Sequence, residues 1–340
     1  MKLVFTICSN NYLSQAKTLG DSLIKHNPDY KFVIGLCDKK NPAIDYSFFE
    51  PHEIVEVRDL NIENFEWMLL NYYIIELNTS IKPFFFKHFI DKYEDIEVIM
   101  YFDPDIKIFN SLSYIENELH NKSILLTPHI LSPIPLDGHI PREIDFLNYG
   151  IYNLGFIGIR PSESAFRMLD WWAERLAIQS FDRVSEGLFV DQLPMNLVPL
   201  FFDNVVVSGN TGLNFAYWNF HEREISKIDN TYFINKNTPL VFFHFSSFKP
   251  TQPLNISHHQ TRFKLEPDSL LYNLFSEYAN ELIHNKYVEL KEIKCYYSEI
   301  RDKHLRDIRI ANEQLHKKQN SIFVRVKNKL RAIIKVPITQ

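Results

Sequence analysis

Short continuous apolar runs alternate with helical periodicity along the first third of the chain. Lys2 to Cys8 (Lys-Leu-Val-Phe-Thr-Ile-Cys) is apolar and closed by Ser9-Asn10-Asn11, the composition of a strand buried on both faces. Ser14 predicts a helix N-cap, and Ala16, Leu19, Leu23 and Ile24 follow at helical spacing until Asn27-Pro28 stops the pattern. Lys31 to Cys37 predicts a second strand ended by Asp38. Strand, helix and strand in this order predict a parallel α/β sheet with helices on both faces. Ligands of such sheets bind beyond the carboxyl ends of the strands. Helical patterns recur at 65–78 and 80–92, before another apolar strand, Glu97-Val-Ile-Met-Tyr-Phe102.

The second half is more mixed. Pro128, Pro133, Pro135 and Pro141 mark a long loop, Val205-Val-Val is strand-like, and Leu240 to Phe245 predicts a late buried strand. Trp171-Trp172 lie in a helical stretch and are assigned to the core. From about Glu281 the chain is charged and helical, with Ile293, Tyr297, Ile300, Ile308, Ala311 and Leu315 at three- and four-residue spacings. This predicts a helical stem that either lies back on the body or pairs with a second copy.

Charge narrows the partners. The net charge of −5 hides seven basic residues and no acid in 317–340, which leaves 30 basic residues against 42 acids, or −12, on the body. An acidic body argues against nucleic acid. Three scattered cysteines, Cys8, Cys37 and Cys295, suit neither a disulfide framework nor a cysteine zinc site. The first apolar run is too short for a signal-peptide core, and no run approaches the ~18–20 apolar residues of a membrane span. A cytoplasmic protein is expected, soluble or peripheral on the inner face of the membrane. Nine glycines in 340 residues is well below the average of about 7% and allows no glycine-rich phosphate loop.

The candidate chemistry gathers at strand ends. In Tyr101-Phe102-Asp103-Pro104-Asp105, residues two apart in extended chain point to one side, so both carboxylates converge just past an apolar strand. Two such oxygen ligands suit a divalent ion that keeps open positions for phosphate oxygens, and a solvated turn is the alternative. His244 falls where the late strand ends. Asn10 and Asn11 can donate and accept at a base edge and Tyr12 can stack on it, although a capped turn uses the same residues. Gly150, Gly155 and Gly158 crowd one stretch around Asn153, as close backbone approach or tight strand packing requires. Trp218, Asn219 and His221 form an aromatic and polar cluster suited to a sugar. His258-His259 are expected in a loop.

Taken in order, six segments carry a resemblance. They are Glu76-Leu-Asn-Thr-Ser-Ile-Lys82-Pro-Phe, the Asp103-Pro-Asp105 turn, Asn153-Leu-Gly155-Phe-Ile-Gly158, Asp191-Gln192, Ala216-Tyr-Trp218-Asn219-Phe-His221 and Phe243-His244-Phe-Ser-Ser-Phe248. Residues 1–260 resemble bacterial GT-A glycosyltransferases related to the glycogenin-like family 8 enzymes, which include lipopolysaccharide galactosyltransferases. The resemblance implies a Rossmann-like mixed α/β sheet flanked by helices, with a nucleotide half over about 1–110 and a sugar and acceptor half over about 111–260. It also implies a Mn²⁺ or Mg²⁺ ion held by Asp103, Asp105 and His244. By the same carry-over, Thr6, Cys8, Asn10, Asn11, Tyr12, Asp38, Lys82, Phe102 and Pro104 hold the nucleotide diphosphate. Asp191 and Gln192 face the reacting carbon, and Asn153, Gly155, Trp218, Asn219 and His221 hold donor sugar or acceptor. Ser246-Ser247 stand where the family has glycine, which puts a phosphate role for Lys249 in doubt.

The implied reaction moves a sugar, with retention, from a UDP-sugar or similar donor to a glycan or lipid-linked acceptor of cell-surface polysaccharide synthesis. Residues 261–316 follow as the helical stem, which allows a homodimer. In 317–340, Ile322, Phe323, Val326, Leu330, Ile333 and Ile334 share one helical face beside basic residues, the pattern of a helix lying on anionic lipid. Two other readings fit less of the sequence: a non-catalytic sugar-binding or membrane-associated protein, and a haloacid-dehalogenase-type phosphatase.

Overall fold

The computed structural model describes residues 1–334, with backbone alone for 320, 321 and 327–334. Its centre is a seven-stranded sheet flanked by helices. The strands are β1 (Lys2–Cys8), β2 (Tyr30–Leu36), β3 (Glu53–Glu56), β4 (Val98–Phe102), β6 (Ile124–Pro128), β7 (Tyr152–Ile159) and an edge strand Val205–Val207, while β5 (Ile106–Ile108) stands outside it. The order is edge strand, β6, β7, β4, β1, β2, β3. Every residue of β4 and β7 is buried, which is why their sequences run apolar without alternation.

The first strand–helix–strand unit forms as expected, with β1 parallel to β2 through α1 (Leu13–His26). The parallel sheet that this unit alone predicts is not carried through, and the mixed sheet implied by the resemblance is what forms. β7 runs antiparallel to both β4 and β6. Pro128 pairs with Tyr152, so the chain turns back at the end of β6 and enters β7 beside it without a crossover.

Local contacts correct two helix expectations. Ser14 does not cap α1: a 3₁₀ turn over Asn10–Tyr12 precedes the helix, and the Ser14 hydroxyl donates to the Leu282 carbonyl at 2.9 Å. The 65–78 helix is two, α2 (Phe65–Asn71) and α3 (Ile74–Ser80). Tyr73 is extended between them, and its N–H donates to the Glu76 carboxylate at 2.6 Å, so Glu76 opens the second helix. Then α4 (Lys82–Lys92) starts with Pro83 in its first turn, α5 (Ser113–Glu118) leads to β6, α6 (Glu143–Tyr149) stands before β7, and α7 (Glu163–Gln179) buries Trp172.

Much of the stretch read as a stem lies on the body. The Leu270–His284 helix places Phe275, Tyr278 and Leu282 in one core with Phe243 and Phe245, the Tyr278 ring stacked on Phe245 at 3.9 Å. The terminal helix Tyr296–Ile334 starts against α2, where the Tyr297 ring meets Phe65 at 5.4 Å. Farther along, Ile322, Phe323 and Val326 are exposed. The tail residues Leu330, Ile333 and Ile334 fall outside the described side chains, and 335–340 fall outside the described residues. No helix among the described residues is long and apolar enough to cross a membrane.

A candidate metal centre at the carboxyl edge of the sheet

The buried strand β4 delivers Asp103 and Asp105 to the sheet edge. Their turn is clamped on both sides: the Asp103 N–H donates to the Gly155 carbonyl at 2.7 Å, and the Asp105 carbonyl accepts from Phe245 N–H at 2.9 Å. Beyond the turn, β5 pairs antiparallel with the Phe242–His244 strand, Ile106 opposite His244. This register sets the imidazole beside the carboxylates, with His244 Nε2 at 3.1 Å from Asp105 Oδ1 and 3.8 Å from Asp103 Oδ2.

Ligand atoms of Asp103, Asp105 and His244 all lie within 4.8 Å of one another. Burial opposes both charges of the His244–Asp105 pair, but their attraction outweighs it, so the imidazole sits above its ordinary pKa and the Asp105 carboxyl below. The pair thus holds a proton where a cation would bind. Two carboxylates and one imidazole nitrogen fit a divalent ion, and the nitrogen tilts the set toward a transition ion over Mg²⁺. The Tyr101 hydroxyl donates to Asp103 Oδ1 at 2.5 Å and fixes that carboxylate.

Gly155 makes room for the imidazole. A Cβ built there would lie 2.4 Å from His244 Cε1 and 2.8 Å from Nδ1, against a ring held by the β5 pairing. Gly155→Ala is therefore expected to push the ring out of register and lower Mn²⁺ affinity about tenfold or more, as disrupted support of a ligand typically does. Calorimetric titration of the folded variant with Mn²⁺ checks this, and an unchanged affinity would show that the ring has room to move.

Behind the carboxylates lies a buried ion cluster. Lys82, the first residue of α4, places Nζ 2.7 Å from Asp191 Oδ2 and 3.6 Å from Asp103 Oδ1, donates to the Leu154 carbonyl at 2.8 Å and lies 4.3 Å above the Tyr101 ring. Burial pushes the Asp191 carboxyl up to about 6 despite Lys82. The Lys82 ammonium stays above its ordinary pKa because Asp191 and Asp103 outweigh its own burial. Asp191 and Gln192 stand just before a 3₁₀ turn over Leu193–Leu197. The Gln192 amide bridges backbones, donating to the Tyr149 carbonyl at 2.9 Å and accepting from Leu154 N–H at 3.1 Å.

The nucleotide candidates cluster around the end of β1. Asn10 Nδ2 donates to Asp38 Oδ2 at 2.9 Å, and the Tyr46 hydroxyl donates to Asn10 Oδ1 at 2.6 Å. Asp38 is fully buried and also accepts from Tyr296 N–H at 2.9 Å, at the start of the terminal helix. Cys8 is buried, its thiol pushed up by that burial, and the buried Thr6 hydroxyl has no partner among the described residues. Tyr12 is 44% exposed and available for stacking, with Asn11 half-buried before it. Phe102 is core, packed on Phe156 and Phe242, and half-buried Pro104 separates the two carboxylates.

A cavity of about 690 Å³ adjoins the centre, lined by Asn153, Gln192, Trp218, Tyr149, His258 and His259 among others. Trp218 reaches it from a buried position, its ring edge-on to His244 at 5.1 Å. Asn219 and His221 do not line it. Asn219 is fully buried and donates to the His129 and Asn214 carbonyls, while His221 Nε2 lies 3.2 Å from the Ser132 carbonyl. The sequence reading missed Tyr101, Asn214 and His129. His129 follows Pro128 at the end of β6, where the strand-end rule could have found it.

No protein-family model matches the chain. Two uncharacterized proteins of Bacillus subtilis (strain 168) are similar to it. YfnF is 26% identical over 208 residues, 60% of this chain and 67% of its own length. YfnD is 25% identical over 256 residues, 72% of this chain and 76% of its own. Among solved structures, galactosyltransferase LgtC in complex with donor and acceptor sugar analogues aligns at TM-score 0.47 and 18% identity, covering 82% of this chain and 95% of LgtC. The glycosyltransferase GlyE of Streptococcus pneumoniae TIGR4 aligns at TM-score 0.45 and 14% identity, covering 84% of this chain and 64% of GlyE.

Proposed function

We propose that the chain is a metal-dependent GT-A glycosyltransferase that moves a sugar from a nucleotide-diphosphate donor, a UDP-sugar by preference, to a glycan or lipid-linked acceptor. The observation that carries this reading is the Asp103–Asp105–His244 cluster beside a roomy cavity with aromatic walls. A divalent ion held by these three residues would supply Lewis-acid neutralisation of charge growing on the leaving diphosphate.

The chain's own residues do the rest. Tyr101 fixes the Asp103 carboxylate, and the Asp191–Lys82 pair sets a buried charge behind it. Exposed Tyr12 offers a ring to the base. Aromatic side chains of the cavity, Tyr149 and Trp218 among them, suit the C–H faces of a sugar. Retention follows from the family resemblance, and no side chain is assigned as the acceptor's base.

The test is donor hydrolysis. Purified protein with Mn²⁺ and a panel of UDP- and GDP-sugars is expected to release nucleotide from at least one donor, to stop with EDTA and to resume with added Mn²⁺. Absence of both turnover and binding across the panel would overturn the reading, and binding without turnover would favour a non-catalytic sugar-binding protein.

A further inference from the structure

His129, buried at the wall of the cavity, has no hydrogen bond to a ligand carboxylate among the described residues, yet it lies at the start of a continuous hydrogen-bonded chain that ends on His244. Its Nδ1 lies 3.3 Å from the Ile151 carbonyl and its Nε2 3.1 Å from Asn153 Nδ2. Asn153 Oδ1 in turn lies 3.3 Å from His244 Nδ1 and accepts from Gly155 N–H at 3.2 Å and from Asn214 Nδ2 at 3.1 Å.

Two backbone groups settle every polarity along this chain. A carbonyl only accepts, so the His129 nitrogen facing Ile151 carries the proton and the opposite nitrogen, Nε2, presents a lone pair. A backbone N–H only donates, so the Asn153 atom facing Gly155 is its oxygen. The amide nitrogen of Asn153 then faces the His129 lone pair, and the oxygen faces His244, which must donate from Nδ1. With Nδ1 keeping its proton, the nitrogen of His244 that can exchange the proton shared with Asp105 for a cation is Nε2, the atom turned toward Asp103 and Asp105. We propose that His129 is a positioning residue for metal binding: through Asn153 it fixes His244 as the tautomer whose Nε2 is free to ligate.

The surroundings keep this arrangement in one state. Burial holds the His129 imidazole far below its ordinary pKa, at about 3, so it stays neutral and keeps its lone pair. Its ring is stacked on Phe146 of α6 at 4.8 Å and edge-on to Trp218 at 5.3 Å, contacts that favour this ring plane. Hydrogen bonding of the distal nitrogen of a metal-ligating histidine sets its tautomer and orientation. Here the oxygen that does so belongs to an amide, held at its oxygen by Gly155 N–H and Asn214 and at its nitrogen by a second histidine.

The inference rests on the metal reading above, and the experiment separates the two. Mn²⁺ affinity is measured by calorimetry on the full chain, on His129→Phe, which keeps an aromatic ring but loses the acceptor, and on His129→Gln, whose side-chain oxygen can take the place of Nε2. Affinity is expected to fall about 10–100-fold in His129→Phe and to recover largely in His129→Gln. Long-range ¹H–¹⁵N spectra at pH 8 with Mg²⁺, assigned with His129→Gln and His244→Gln, are expected to show both histidines protonated on Nδ1. A wild-type chain that binds no Mn²⁺ would overturn the metal reading, and the spectra would then still decide the tautomers. Folded His129→Phe with wild-type affinity, or a neutral wild-type His244 protonated on Nε2 and not on Nδ1, would overturn the proposal. Should His129→Phe fail to fold, the His129→Gln affinity and the wild-type spectra decide.

Discussion

Asp105→Ala is expected to lower metal-dependent donor turnover about 10³-fold or more, because a metal acting as Lewis acid is worth several kcal/mol and each 1.36 kcal/mol is a factor of ten. Asp105 holds His244 in its charged pair, and its loss leaves the imidazole with Asp103 alone at 3.8 Å. The same pair gives a pH dependence. His244 sits above its ordinary value of about 6.5, so its contribution to the metal-free fold is complete below that pH and is lost as pH rises through the raised value. Asp105 sits below its ordinary value of about 3.9, so its contribution is complete above that pH and lost as pH falls through the lowered value. The metal-free pair is therefore most stabilising between about pH 4 and 6.5, and Mn²⁺, which competes with the shared proton, is expected to bind more tightly as pH rises above that window. Nucleotide release with varied Mn²⁺ at pH 6 and 8 measures both effects. Turnover by Asp105→Ala within tenfold of wild type would remove Asp105 from the ligand set.

Lys82→Met carries the largest expected loss of stability, about 3–5 kcal/mol at pH 7.5, the usual cost of removing one partner from a buried ion pair. Methionine fills most of the volume but leaves Asp191 buried with only Asp103, another carboxylate, for electrostatic company. Asp191 already sits at about 6, above the ordinary carboxyl value. A raised acid favours folding in its protonated form, so its penalty is absent below about pH 4 and complete above about pH 6. Without Lys82 that pKa moves higher still. The gap between wild type and Lys82→Met should therefore narrow from pH 7.5 to pH 5, read as urea midpoints from circular dichroism. Equal midpoints at pH 7.5 would show that Asp191 finds other compensation.

What the sequence carried locally was legible in advance. The β1–α1–β2 opening, the Asp103–Asp105 turn at the end of β4 and His244 at the end of its strand each follow from patterns within one element or its immediate neighbours. The reversal of β7 was not legible, because direction depends on where the chain re-enters the sheet, and the loop between Pro128 and Tyr152 holds no pattern that says so. Asn219 and His221 looked like sugar ligands by type, but their polar atoms meet backbone groups, of Ala216 in the same turn and of His129 and Ser132 beyond β6. Lys82 was singled out by the resemblance alone, and nothing local to it foretells its burial against two carboxylates. His129 had no motif around it. Its significance arises from pairing between distant strands and from Phe146, which arrives on a separate helix.

The clamp that turns β6 back into β7 also makes one wall of the cavity exchangeable. Pro128 pairs with Tyr152, and the His129 N–H donates to the Ile151 carbonyl at 3.0 Å, so the intervening segment leaves and rejoins the sheet side by side, like the loop of a hairpin, and is tied farther out to Glu222 and Arg262. Ile140, Arg142, Asp145 and Tyr149 of that segment line the cavity, whereas the carboxylates and His244 are anchored elsewhere. Insertions or grafts between residues 130 and 145 can thus reshape what the cavity admits while the chemistry beside it stays in place, provided Phe146 still closes on His129. On the proposed function, loop libraries aimed at what the cavity admits would begin there, keeping Leu131, Ser132 and Asp137 for their contacts with His221, Glu222 and Arg262.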